Sequence, residues 1–145
     1  MSTVLVVDDI DVVRFTLRKF LERGGHIVIE CASVEEAEQV LRQSTPDLVV
    51  TDLWMPGGDG VALIARLRET HANLPIIAIT GGAPRLPRET SIEQAQMAGA
   101  RHALMKPVGM QALLSCVDEG LREAESSGQG RRAAMGARRA SSLRS

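Results

Sequence analysis

The stretch that decides the fold is Leu48-Val49-Val50-Thr51-Asp52-Leu53-Trp54-Met55-Pro56-Gly57-Gly58-Asp59-Gly60. It opens on a short aliphatic run, meets a carboxylate at Asp52, and passes into a Pro/Gly-rich turn. An apolar run without alternation fits a strand covered on both faces, which is how parallel strands are buried. A helical pattern follows, near Val61–Thr70, with Leu63, Ile64 and Leu67 on one face.

Working outward, the same alternation recurs. Strand-like runs stand at Val4–Val7, Ile27–Cys31, Ile76–Ile79 and around Ala103–Met105. Helical patterns lie between them. Val13, Leu17, Phe20 and Leu21 form one stripe near Val12–Arg23. A second helix opens at Ser33 with Glu36 three residues on, a capping-box spacing, and buries Val34, Ala37 and Leu41. A weaker pattern begins at Thr90 with Glu93 in the box position. The last places Met110, Leu113, Leu114, Val117 and Leu121 together. Five aliphatic strands alternating with five helices predict an α/β fold: a doubly wound parallel sheet with helices on both faces.

In such sheets ligands meet the carboxyl ends of the strands. Here those ends read Asp8-Asp9, Asp52, Thr80 and Lys106-Pro107. Each has an ordinary reading alone: a turn aspartate, a strand-forming threonine, a solvated lysine. Together they predict three carboxylates, a hydroxyl and an ammonium at one edge of one sheet. Two carboxylates about 4 Å apart repel by roughly 4 kcal/mol at an effective dielectric near 20, so the cluster takes up protons or a cation. Few hard oxygen ligands in a small open site suit Mg²⁺. The metal and Lys106 can neutralise a phosphoryl group on Asp52, and Thr80 can hydrogen-bond one of its oxygens.

With these residues the chain resembles the response-regulator receiver domain of two-component systems, over about residues 3–123. The motifs are Asp8-Asp9, Asp52 through Gly60, Ile79-Thr80-Gly81, and Ala98-Gly99-Ala100 leading to Lys106-Pro107. The resemblance implies a flavodoxin-like five-stranded sheet of order 2-1-3-4-5. It implies Asp52 as phosphoacceptor and Asp9 as direct metal ligand, with Asp8 acting mainly through a metal-bound water. The backbone carbonyl of Trp54 completes the ligands. Thr80 and Lys106 take the switch-hydroxyl and phosphate-pairing roles, and Pro107 looks like the family's cis-proline. Phosphate then comes from a sensor histidine kinase or histidine phosphotransfer protein. The signal leaves to a downstream protein target through the face of the fourth helix, fifth strand and fifth helix, or by onward phosphotransfer, or the domain serves as a phosphate sink; a phosphorylation-linked dimer stays open.

Two positions and one loop depart from the family pattern. Ala103 stands where an aromatic switch is usual, and Val108 replaces the aromatic after Lys-Pro. Gly81 to Pro87 reads as a long irregular loop. His102 adjoins Ala103 but points to the opposite face, so it is read as a partly exposed edge histidine.

Composition bounds the rest. At 145 residues, 44% apolar and 2% aromatic, the chain has room for one aliphatic core and a short appendage. No apolar run reaches membrane length and no secretory signal is seen, so a cytoplasmic protein with no membrane segment is expected. Cys31 and Cys116 are read as reduced thiols. The net charge of −1 hides an asymmetry: residues 131–145 carry five arginines and no acid, leaving −6 on residues 1–130. Residues 1–125 are therefore read as a stand-alone receiver, and 126–145 as a flexible basic tail, with Glu125-Ser126-Ser127-Gly128-Gln129-Gly130 as the linker at the join.

Two other function classes share some of these features. Phosphatases of the haloacid-dehalogenase type also use an aspartyl nucleophile, a Thr/Ser, a Lys and Mg²⁺. They place a second Asp two residues after the nucleophile as general acid, where Trp54 stands here. A nucleic-acid-binding protein is suggested by the arginines, but specific DNA binding is not expected, and only weak contact through the tail stays open.

Overall fold

Val4–Val7 pair in parallel with Val28–Cys31 on one side and with Leu48–Thr51 on the other, so the first strand is central. That centrality explains its unbroken aliphatic run. In this computed structural model residues 2–55, 58–81 and 88–139 are described. The strands are β1 (Thr3–Val7), β2 (Ile27–Cys31), β3 (Leu48–Asp52), β4 (Ile76–Thr80) and β5 (His102–Met105). The helices are α1 (Asp11–Arg23), α2 (Val34–Gln43), α3 (Gly60–Thr70), α4 (Arg88–Ala98) and α5 (Met110–Arg139). The sheet is parallel throughout, with order β2-β1-β3-β4-β5, as expected.

Successive strand residues point to opposite faces, and the core divides accordingly. Val4, Val6, Leu48, Val50, Ile77 and Ile79 pack against Leu17 and Leu21 of α1 and Leu113 and Val117 of α5. Leu5, Val7, Val49, Ile76 and Ala78 pack against Ala37 of α2, Leu63, Ile64 and Leu67 of α3, and Ala95 of α4. Leu63 and Ile64 are almost wholly buried, so truncating either to alanine should cost about 2–5 kcal/mol.

Local chemistry sets the helix ends. The Glu36 N–H donates to Ser33 Oγ at 3.1 Å, and Glu36 Oε1 accepts from the Ala32 N–H at 2.7 Å. The capping box thus forms, its return bond reaching one residue upstream of the cap. After α4 the chain turns through Gly99 at φ +131°, a region a side chain rarely adopts. Arg68 reaches across from α3 to donate to the Gly99 carbonyl at 2.7 Å.

The structure differs from the sequence reading in three places. Trp54–Met55 and Gly58–Asp59 form a short antiparallel ribbon that periodicity does not reveal. α4 begins at Arg88, two residues before Thr90; the Thr90 side chain and most of the Gly81–Pro87 loop lie outside the described residues. The backbone continues helical from 126 to Arg139, where a flexible linker and tail were expected. Ala, Arg, Gln and Met are good helix formers, and Gly128, Gly130 and Gly136 cost only roughly 1 kcal/mol each against Ala. Lengthening an existing helix also needs no new nucleus.

Candidate functional site

The carboxyl ends of β1, β3, β4 and β5 bring Asp8, Asp52, Thr80 and Lys106 to one edge. Asp8 follows β1 and is 1% exposed. Its N–H donates to the Cys31 carbonyl at 3.1 Å, and its Oδ1 accepts from the Ile10 N–H at 2.9 Å. Asp52 closes β3 and is 5% exposed; its Oδ1 accepts from the Leu53 N–H at 2.9 Å. Thr80 ends β4 and is fully buried. Lys106 directly follows β5, and its peptide bond to Pro107 is cis, as the resemblance implied.

Lys106 ties the cluster together. Its Nζ lies 3.1 Å from Asp8 Oδ2 and 3.4 Å from Asp52 Oδ2. Asp9, half-exposed, joins them: ligand oxygens of Asp8, Asp9 and Asp52 all fall within 4.8 Å of one another. Burial first, then the neighbouring Asp8, pushes the Asp52 carboxyl up to about 6, against the opposing pull of Lys106 and the Leu53 N–H. Burial disfavours the Lys106 ammonium, but Asp52 and Asp8 outweigh it and hold the group above its ordinary value. Three carboxylates against one ammonium leave two negative charges when all are ionised. The donors are all hard oxygens, so the residues present fit a divalent cation.

Trp54 is half-buried and packs against the α2–α4 face of the core. Ala103 also packs on that face. His102 turns the other way, its Nε2 3.5 Å from Glu123 Oε1 on α5. Cys31 and Cys116 are free thiols; burial, and then Glu36, pushes the Cys31 thiol up to about 11.

One residue near the site carried no expectation. Arg14 on α1 donates to the main-chain carbonyl of Asp8 at 2.8 Å. Its spacing three residues after Asp11 was the only trace in the sequence, and that pattern reads equally as a surface helix pair.

This arrangement, on this fold, defines a class. The family model for the response regulator receiver domain matches residues 4–118, and the chain belongs to that family. It is 34% identical over 125 residues to the transcriptional regulatory protein AfsQ1 of Streptomyces coelicolor, covering 86% of this chain and 53% of that protein. With the transcriptional regulatory protein PhoP of Escherichia coli K12 it shares 31% identity over 114 residues, 77% of this chain and 48% of PhoP. The chain thus spans about half the length of these relatives. Among solved structures, a putative response regulator from Chloroflexus aurantiacus superposes with a TM-score of 0.75 at 34% identity, covering 83% of this chain and 98% of that one. A CheY-like receiver domain protein from Methanospirillum hungatei gives 0.79 at 25% identity, covering 88% and 98%.

Proposed function

We propose that this receiver takes a phosphoryl group on Asp52 from a sensor histidine kinase or histidine phosphotransfer protein, with Mg²⁺ bound beside it. The observation that carries the proposal is the position of Lys106 Nζ, 3.1 Å from Asp8 and 3.4 Å from Asp52 inside the acidic cluster. A carboxylate oxygen of Asp52 attacks phosphorus as the donor nitrogen–phosphorus bond breaks, leaving an aspartyl phosphate and a neutral imidazole on the donor. With its pKa near 6, Asp52 is mostly ionised at neutral pH and available as a nucleophile. Lys106, already charged and already beside Asp52, pairs with the arriving phosphoryl oxygens without reorganisation. Asp9, Asp52 and the Trp54 backbone carbonyl would hold the cation, and Asp8 would act through a water bound to it. Mg²⁺ supplies charge neutralisation for the transferring group.

The Thr80 hydroxyl engages the phosphoryl group and biases the face of α4, β5 and α5 toward a downstream target, a dimer or onward transfer. Met97 of α4 and Met105 of β5, 88% and 46% exposed, are apolar surface of the kind such a face needs. On the donor side, an apolar groove of about 470 Å³ runs beside Lys106, lined by Val12, Val13, Leu17, Pro107 and Val108.

Among the described residues no helix is long and apolar enough to cross a membrane; the cytoplasmic location in this reading follows from the proposed histidine-kinase donor. Residues 1–125 are taken as the receiver unit and 126–145 as a basic extension whose arginines give weak, salt-sensitive contact with polyanions. The test is incubation with acetyl phosphate and Mg²⁺, read by intact mass. One acid-labile phosphoryl group is expected on the wild type and none on Asp52→Asn; undiminished labelling of that variant overturns the assignment.

A further inference from the structure

A guanidinium 2.8 Å from the backbone of a cation site needs a reason. Arg14 is only 14% exposed at its side chain, yet it stands beside the acidic pair and repels any cation arriving there. Two acids secure it: Nη2 meets Asp11 Oδ1 at 2.6 Å, and Nε meets Glu30 Oε1 of β2 at 3.3 Å. Its remaining arm, Nη1, donates to the Asp8 carbonyl. That carbonyl belongs to the planar peptide joining Asp8 to Asp9. Fixing its oxygen fixes the plane from which Asp9 departs.

We propose that Arg14 is a positioning residue for the cation site, aiming the Asp9 carboxylate by clamping the Asp8–Asp9 peptide between α1 and β2. Asp8 needs little such help: Lys106 and the Ile10 N–H hold its carboxylate, and Cys31 holds its amide. Asp9 is half-exposed at the mouth of the site, and the peptide plane decides where its short side chain reaches. The planar fork of arginine bonds three acceptors in three directions, which a lysine ammonium on a flexible stem cannot reproduce.

The inference rests on the cation reading of the site and makes a prediction opposite in sign to simple electrostatics. By charge alone, removing Arg14 tightens Mg²⁺ binding. By positioning, removing it weakens binding. A built-in control exists in Arg18, which shares Glu30 through Oε2 at 2.7 Å while the Asp8 carbonyl is bonded by Arg14.

The experiment titrates Mg²⁺ into the full chain by calorimetry and by Trp54 fluorescence, for wild type, Arg14→Met, Arg14→Lys and Arg18→Met, with thermal unfolding in chelator run in parallel. Acetyl phosphate labelling is then followed against Mg²⁺ concentration. We expect the two Arg14 variants to bind Mg²⁺ about fivefold or more weakly, since roughly 1 kcal/mol of a charge-assisted bond is lost. Labelling should need more Mg²⁺ but reach the wild-type rate at saturation, a split that general destabilisation does not produce. Arg18→Met should bind as wild type does. Arg14→Lys keeps the charge and most of the side chain, so it tests the idea even where Arg14→Met folds poorly. Unchanged or tighter binding in Arg14→Lys, on a wild type that binds, overturns this inference alone. A wild type that does not bind Mg²⁺ overturns the cation reading, and this inference with it.

Discussion

Lys106 donates its backbone N–H to the carbonyl of Thr80 across 3.0 Å. The bond extends the β4–β5 ladder one residue past the last residue of β5, so the proposed phosphate-pairing lysine is hung from the residue that carries the proposed switch hydroxyl. The two roles share a backbone and differ in side chain, which makes them separable.

Thr80→Ala removes the hydroxyl and leaves the carbonyl that holds Lys106. Phosphorylation of Asp52 by acetyl phosphate should stay within about threefold of wild type, because proximity and the electrostatics of the acceptor are kept. The amide chemical-shift changes that phosphorylation induces in α4 and β5 should largely vanish. Wild-type shift changes in the variant would falsify the switch assignment.

Burial of Asp52 leaves a mark on stability in the absence of metal. Its pKa lies near 6 in the fold against an ordinary 3.8. A raised carboxyl pKa stabilises the fold while the group is protonated. That contribution is complete below the unfolded value, near pH 4, and is lost as pH rises through about 6. In chelator, Asp52→Asn should therefore gain roughly 1–3 kcal/mol over wild type at pH 8 and converge with it near pH 4. Urea unfolding across that range tests this, and a gap that widens toward acid counts against it.

Gly60 begins α3 hard against Asp52, the proposed acceptor. A Cβ placed there would sit 2.2 Å from the Asp52 carbonyl oxygen and 2.8 Å from Leu53 Cα, both backbone atoms. Neither can swing aside as a side-chain tip would. Gly60→Ala should cost about 2 kcal/mol or more, an overpacking penalty, and should slow phosphorylation by displacing the peptide that carries Asp52. Stability and labelling rates equal to wild type would show that the α3 start yields more easily than the packing implies.

Trp54, two residues beyond the proposed acceptor and the chain's single tryptophan, is expected to set how long a phosphoryl group lasts there. Hydrolysis needs a water held in line with the phosphorus–oxygen bond. A half-buried indole packed on the core is poorly suited to orienting one. We expect slow self-dephosphorylation, and a decay about threefold or more faster in Trp54→Asn, by the same positioning principle. A time course of phosphoprotein loss in Mg²⁺ measures both; equal decay sinks the shielding role.

The sequence by itself determined the layered α/β architecture, because the signals for it are local. Aliphatic runs such as Val4–Val7 and Ile76–Ile79 can only be buried on two faces, and the Ser33–Glu36 spacing carries its own cap. Asp8, Asp9, Asp52, Thr80 and Lys106 were legible for a related reason: in a parallel sheet every strand end arrives at the same edge, so position along the chain implies position in space. Tertiary structure decided what no local signal encodes. The two-residue pairing of Trp54–Met55 with Gly58–Asp59 is too short to leave a period. The helical path from 126 to Arg139 follows from propagation of α5, and composition alone read it as coil. Arg14 looked like a surface helix residue until β2 brought Glu30 beside it and β1 set the Asp8 carbonyl within 2.8 Å. A hydrogen bond between a side chain and a main-chain oxygen from another element depends on how those elements pack, and residue order carries no record of that distance.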